Sequence, residues 1–90
     1  MKLLRIGCLA SHNGTNVQAI IDACSSQRLS AEVVVVISNN SESQVLRRAS
    51  RAKIPGVHLS SSTYPSPGDL DNAINRTLRE YEAELIVLAG

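Results

Sequence analysis

The sequence predicts an α/β fold in which four parallel strands alternate with three helices. Short apolar runs and amphipathic stretches take turns along the chain, separated by polar or glycine-containing turns. Residues 33–37 are apolar and β-branched at every position, which is typical of a parallel strand covered on both faces. The predicted strand order is 3-2-1-4, the first half of a doubly wound, Rossmann-like sheet.

The amino-terminal half of the chain contains two strand–helix pairs. Residues 3–10 form an apolar run and are predicted as the first strand. The first helix is predicted from residue 15 or 16 to about residue 28, because apolar side chains recur there at helical spacing. The second strand covers residues 33–37. The second helix runs from about 43 to 52, and its Arg47, Arg48 and Arg51 are interpreted as a solvated face.

The carboxyl-terminal half supplies the remaining three elements. Residues 57–59 are a short third strand, which follows the helix-ending sequence Ile-Pro-Gly. Residues 60–68 are rich in serine and proline and are predicted as a loop. The third helix opens at Asp69 or its neighbours, and residues 85–88 form the fourth strand.

Composition excludes several functional classes. The formal charge of +1, with no Phe or Trp, argues against a nucleic-acid surface. Cys8 and Cys24 lack metal-binding or disulfide-framework spacing and are predicted as reduced core residues. Neither a signal peptide nor a membrane span is visible, and a cytoplasmic protein is expected.

The segment Ser-His-Asn-Gly-Thr-Asn at residues 11–16 is the first candidate site. It joins the first strand to the first helix, where unpaired N–H groups and the positive end of the helix dipole can hold an anion. Gly14 would let the backbone approach a phosphate, and Thr15 and Asn16 would add donors. The alternative interpretation, of equal weight, is a tight Asn-Gly turn with a Thr or Asn cap.

The surrounding sequence narrows the ligand class. The loop lacks the lysine of a nucleoside-triphosphate loop and two of the three glycines of a dinucleotide site. Ser38, Asn39 and Asn40 follow the second strand, where a nicotinamide-binding fold usually has an acid. A small phosphorylated metabolite fits these neutral donors better than NAD or ATP. The predicted strand order opens a crevice between strands one and four, beside this loop and beside Gly90.

Three stretches resemble the family of glycinamide ribonucleotide transformylases. Residues 11–23 (SHNGTNVQAIIDA) are similar to the family's phosphate loop and first helix. Residues 37–39 and 86–90 (IVLAG) match in order and spacing. The resemblance runs over the whole chain and covers about the amino-terminal half of such an enzyme. Residues 1–90 are therefore expected to be its substrate-phosphate-binding part, with a sheet that is incomplete relative to the family.

The resemblance implies a folate-dependent formyltransferase of purine biosynthesis. The family moves a formyl group from 10-formyltetrahydrofolate, its co-substrate, to the amine of glycinamide ribonucleotide. Gly14, Thr15 and Asn16 would hold the substrate 5′-phosphate. Gly90 would line the cleft near the substrate, and Leu88 would approach the folate; no metal is implied.

Two departures from the family pattern limit what the chain is expected to do. The family's catalytic Asn, His and Asp lie beyond the equivalent of Gly90, so no catalytic residue is assigned and the 90-residue chain alone is expected to be inactive. In related enzymes, an arginine helps to hold the folate. By spacing, that position is occupied by Pro67 in this chain.

Other interpretations stay open. One is a stand-alone phosphate-binding or interaction module without catalysis, and a weaker one is the opening half of an unrelated nucleotide-binding enzyme. An apolar fourth strand at the sheet edge also predicts self-association through that edge.

Overall fold

The computed structural model describes residues 2–89. Strands and helices alternate along the chain, as β1 Leu4–Leu9, α1 Thr15–Ser25, β2 Ala31–Ser38, α2 Gln44–Arg51, β3 Gly56–His58, α3 Pro67–Glu80 and β4 Leu85–Leu88. The four strands form one parallel sheet in the order β3-β2-β1-β4. The predicted architecture is therefore confirmed, although most predicted boundaries differ by one or two residues.

Helices cover both faces of the sheet. Val17 of α1 and Val45 of α2 are fully buried against one face, together with Cys8 of β1. Ala73 and Leu78 of α3 are buried against the other face. Two apolar clusters, one on each side of β1 and β2, thus form the core. This is why β2 carries apolar residues on both faces.

An irregularity in β2 interrupts the alternation of its side chains. Ile6 of β1 pairs with Val33, but the next residue of β1, Gly7, pairs with Val35. Val34 is the extra residue, and both Val34 and Val35 belong to the cluster under α3. A bulge of this kind shifts the phase of a strand by one residue, so a uniformly apolar run does not reveal which side each valine faces.

The first helix ends earlier than predicted. It stops at Ser25, not near Arg28, because Gln27 adopts the left-handed conformation with φ of 63°. Helices commonly end on such a residue, which is usually glycine. The residues at the corresponding positions after the other two helices are Lys53 (φ 60°) and Glu82 (φ 56°).

The third helix begins earlier than predicted. Its first residue is Pro67, not Asp69, and extended Ser66 precedes it. Proline is favoured at the first position of a helix, because its fixed φ suits the helix and its missing N–H has no partner there. The predicted loop is therefore shorter than expected.

The two cysteines are free and differ in burial. Cys8 is buried, as predicted, whereas Cys24 is only partly buried. Burial, reinforced by the neighbouring Cys24, raises the pKa of Cys8 to about 11. Burial also raises the pKa of Cys24, with Glu32 as the smaller cause. Both side chains are therefore neutral thiols at neutral pH.

Arg5 of β1 connects the sheet to the end of α3. Its guanidinium donates to the carbonyls of Tyr81 (2.7 Å) and Glu82 (3.1 Å) and bonds Glu32 Oε1 at 2.9 Å. The Arg5 N–H donates to Glu84 Oε1 at 3.0 Å, and this bond lowers the pKa of the Glu84 carboxyl. Arg5 thus satisfies carbonyls that a helix end leaves unpaired and fixes the turn into β4.

We expect Arg5→Met to lower the free energy of unfolding by about 2 kcal/mol, because two helix-end carbonyls and a carboxylate lose their charged donor. Urea unfolding followed by circular dichroism measures the change. Arg76→Met, at an exposed arginine of α3, is the matched control and should have an effect within about 0.5 kcal/mol. Equal losses in the two variants would contradict the assigned role of Arg5.

Candidate functional site

The loop of residues 11–16 leads from the carboxyl end of β1 into α1. Gly14 stands at the N-cap position with φ 76° and ψ 28°, and, as glycine, it makes no side-chain cap hydrogen bond. The N-cap residue is therefore glycine, and not the Thr or Asn of the alternative interpretation. Instead, Asn13 Oδ1 accepts the Thr15 N–H at 3.3 Å. Thr15 and Asn16 are exposed at the start of the helix, where the first N–H groups have no partner within the helix.

Gly14 is buried against Val45 of α2. A Cβ atom at position 14 would lie 2.5 Å from Val45 Cγ2 and 2.9 Å from Val45 Cα. The first contact involves a side chain, but the second involves backbone, which cannot rotate away. The positive φ is a further constraint that favours glycine. Packing between α1 and α2 therefore explains this glycine, whatever ligand the loop holds.

Backbone and side chains of α2 hold the other half of the loop. The Val45 N–H donates to the His12 carbonyl at 3.2 Å. Arg48 Nε donates to the Asn13 carbonyl, and Arg48 Nη1 donates to Gln18 Oε1 of α1 at 3.3 Å. Two successive loop carbonyls are thus engaged by α2.

The prediction of a solvated arginine face is wrong for one of its three members. Arg47 and Arg51 are exposed, but Arg48 is partly buried and bonds the loop. Sequence spacing does not distinguish them, because the partner carbonyl lies 35 positions away. The contact could be anticipated only from the topology. Because β1 and β2 are adjacent and parallel, the loops that follow them lie at the same edge of the sheet.

A polar loop follows β2 beside the first one. Ser38 is 1% exposed, and its Oγ lies 3.0 Å from Ser43 Oγ. The same oxygen accepts the Asn40 N–H at 3.2 Å, and Asn40 Oδ1 accepts the Glu42 N–H at 3.1 Å. The serine and asparagine side chains therefore stabilise a turn that places α2 against the phosphate-loop candidate.

A cavity of about 370 Å³ opens at the carboxyl edge of the sheet, on the side of α3. Its lining is mostly apolar and comprises Leu9, Ala10, Ser11, Ile37, Asn39, Leu59, Leu70, Ile74 and Leu88. Leu88 is 78% exposed, so its side chain is available at the mouth of the cavity. Gly14, Thr15 and Asn16 do not line it, and Ser11 belongs to both the loop and the cavity. Gly90 lies outside the described residues.

Neither a metal-ligand cluster nor a membrane-spanning helix is found among the residues that the structure describes. Within residues 2–89, no group of three His, Cys, Asp or Glu side chains is placed to share a metal ion. None of the helices in that range has the length and apolarity needed to span a bilayer. Exposed His12 is the titratable side chain of the loop itself. The arrangement is suited to binding through neutral donors and backbone amides.

Comparisons with known proteins agree with this fold and with the resemblance read from the sequence. Residues 4–90 match the family described as formyl transferase. Phosphoribosylglycinamide formyltransferase of Haemophilus influenzae is 40% identical over 86 residues, which are 96% of this chain and 41% of that protein. The trifunctional purine biosynthetic protein adenosine-3 of Gallus gallus is 38% identical over 97% of this chain and 9% of its own length.

Solved structures give the same result. The crystal structure of glycinamide ribonucleotide transformylase 1 from Symbiobacterium toebii superposes with a TM-score of 0.94 and 40% identity, over 99% of this chain and 42% of that one. The enzyme from Coxiella burnetii, solved in complex with CHES, gives a TM-score of 0.91 and 41% identity over 98% of this chain and 41% of its own. The chain thus spans about two fifths of these single-function relatives.

We expect Gly14→Ala to lower the free energy of unfolding by more than about 2 kcal/mol, because overpacking against Val45 adds to the cost of a positive φ. Gly68→Ala is the matched control, since a Cβ at Gly68 of α3 meets nothing within 4 Å. This control should be neutral or slightly stabilising, because alanine favours helix. Chemical denaturation of both variants decides the matter, and a neutral Gly14→Ala would contradict the packing described.

Proposed function

Because this chain belongs to the formyl transferase family, we propose that it takes part in the formylation of glycinamide ribonucleotide in purine biosynthesis. Its part is to bind the substrate 5′-phosphate through Gly14, Thr15 and Asn16. The single observation that carries the proposal is the open first turn of α1, where exposed Thr15 and Asn16 adjoin helix N–H groups. Such a turn attracts phosphate through its N–H groups and its dipole.

The strength of this interaction follows from the donors available. Hydrogen bonds to a charged group contribute roughly 1.5–3 kcal/mol each. Three of them, less the cost of ordering the ligand, give a dissociation constant for a phosphate monoester between roughly micromolar and millimolar. The turn has no lysine, and the acid expected for a dinucleotide is replaced by buried Ser38. A small sugar phosphate is therefore the ligand we propose.

The formyl donor, 10-formyltetrahydrofolate, is proposed to approach from the side of the α3 cavity. The cavity is apolar and large enough for part of a flat ring system, and exposed Leu88 lies at its mouth. At Pro67 the chain offers no side-chain donor to the folate. Gly90, the remaining proposed contact, follows directly on β4 and Ala89.

Formyl transfer requires groups that we do not assign to the described residues. The substrate amine attacks the formyl carbon, a tetrahedral oxyanion forms, and the amine loses a proton; the oxyanion then collapses, the bond from the formyl carbon to the folate nitrogen breaks, and that nitrogen takes up a proton as tetrahydrofolate leaves. A base for the amine nitrogen and a donor for the oxyanion must therefore lie on either side of the same formyl carbon. In the proposed assignment, the loop and the cavity bind and orient the two substrates. The Asn, His and Asp of the family, by resemblance, follow the position of Gly90.

We expect glycinamide ribonucleotide, and more weakly inorganic phosphate, to shift the backbone amide signals of Gly14, Thr15 and Asn16 in a nuclear magnetic resonance titration. Asn16→Ala should weaken binding about tenfold, because one hydrogen bond to the charged group is lost. Asn72→Ala, at an exposed asparagine of α3, is the control and should bind as the parent chain does. Shifts confined to His12, or no shifts at all, would refute the phosphate site.

The edge of β4 supports a second proposed property, self-association. Leu85, Ile86 and Leu88 are 45%, 49% and 78% exposed, and β4 pairs only with β1 in the described part of the chain. An exposed apolar edge strand is a template for pairing with another strand.

We expect the 90-residue chain to sediment with a concentration-dependent increase in mass, because the β4 edge can pair between copies. Ile86→Lys should shift the equilibrium toward monomer, since a charge on an edge strand opposes pairing. Leu29→Lys removes a similarly exposed leucine (44%) outside the strands and serves as the control. A monomer at every concentration, or equal effects of the two substitutions, would exclude pairing through this edge.

A further inference from the structure

The start of α1 is bordered by a cation that the sequence does not assign to any site. Arg48 comes from α2 and lies against the loop, where Nε donates to the Asn13 carbonyl. Its Nη1 donates to Gln18 Oε1 at 3.3 Å, and Gln18 Nε2 in turn donates to Asp22 Oδ1 at 3.0 Å. The guanidinium therefore bridges the loop and the first turn of α1.

These contacts decide which backbone groups of the loop face outward. The Asn13 carbonyl is drawn toward α2 by Arg48, and the His12 carbonyl is drawn the same way by the Val45 N–H. Carbonyl oxygens carry partial negative charge and would repel a phosphate. With both carbonyls engaged by α2, and the Thr15 N–H held by Asn13 Oδ1, the turn offers a ligand the Gly14 and Asn16 N–H groups and the exposed side chains of Thr15 and Asn16.

The charge distribution around the turn is unusual for a purely structural contact. A cation is disfavoured near the start of a helix, because the dipole is positive there. The first turns of α1 and α2 nevertheless contain no acidic residue, whereas α3 has Asp69 in its first turn. Asp22 of α1 is bonded to Gln18, α2 contains no acidic residue, and Glu42 lies just before α2 in the chain. A bound dianion would offset this excess of positive charge.

We propose that Arg48 is a positioning residue of the phosphate loop. It orients the Asn13–Gly14 backbone so that the Gly14 amide faces the ligand, and it does so through two directed hydrogen bonds; the Thr15 N–H is held by Asn13 Oδ1. The inference rests on the proposed function for its ligand, but the orientation of the loop is a property of the chain without ligand. Both hydrogen bonds come from one planar guanidinium, a geometry that a lysine ammonium does not reproduce.

The test compares Arg48→Met, Arg48→Lys and Arg47→Met in the 90-residue chain. Met removes charge and donors, Lys keeps the charge but not the bridging geometry, and Arg47→Met removes the neighbouring exposed charge. Amide chemical shifts and relaxation of residues 13–16 are measured without ligand. Dissociation constants are then measured for inorganic phosphate and for glycinamide ribonucleotide, and urea midpoints confirm that each variant is folded.

We expect Arg48→Met to shift and mobilise the amides of residues 13–16 without ligand and to weaken binding of both phosphates at least about tenfold. Arg48→Lys should disturb the same amides and weaken binding about threefold or more. Arg47→Met should leave the amides in place and change binding less than twofold. Unchanged amides in Arg48→Met, or equal weakening by Arg47→Met, would overturn the proposal. If Arg48→Met does not fold, Arg48→Lys alone decides, and parent-like loop amides in that variant overturn it.

Failure of the proposed function gives a different result. In that case neither phosphate shifts the amides of the parent chain at millimolar concentration. The amide signals of residues 13–16 can still be compared, without ligand, between the two Arg48 variants and Arg47→Met. Disturbed loop amides in the two Arg48 variants then support a loop-positioning arginine, and undisturbed amides reject it.

Discussion

The close approach of α1 and α2 at Gly14 is the constraint on which the candidate site depends. Because a Cβ at this position would lie within 3 Å of Val45 backbone and side-chain atoms, only glycine lets the two helices meet here. Their meeting brings the Val45 N–H and Arg48 to the loop carbonyls. The absence of a Cβ at Gly14 therefore allows α2 to pack against the loop, and α2 in turn orients the loop backbone.

A separate set of contacts holds the other side of the sheet. Gly7 of β1 faces α3, and a Cβ there would lie 2.6 Å from Leu78 Cδ2. Arg5 holds the carbonyls at the end of the same helix and the turn into β4. The strand β1 thus contacts α3 in two ways. Gly7 leaves space for Leu78 of the helix, and the Arg5 guanidinium bonds the carbonyls at its end. The loop at the carboxyl end of β1 is held by α2, through Val45 and Arg48.

The fold class and strand order were predictable, because periodicity and turn residues respond to local physics. The three helix ends were harder, since Gln27, Lys53 and Glu82 adopt a left-handed conformation that usually indicates glycine. The bulge at Val34 was hidden because every residue around it is apolar. In the candidate site, the loop itself was visible in the sequence. The contact of Arg48 was not, because it joins residues 35 positions apart, and only the pairing of β1 with β2 brings them together.

The loop and the cavity divide the carboxyl edge of the sheet between its two faces. Gly14 packs toward α2, on the side of α1, whereas Leu88 and the cavity lie on the side of α3. Ser11 belongs to both, since it opens the loop and lines the cavity. In the proposed reaction, the phosphate end of one substrate and the formyl donor would approach from opposite faces and meet over the end of β1. A transfer between two bound molecules gains most from such fixed placement, because the reacting atoms are held together before the chemistry begins.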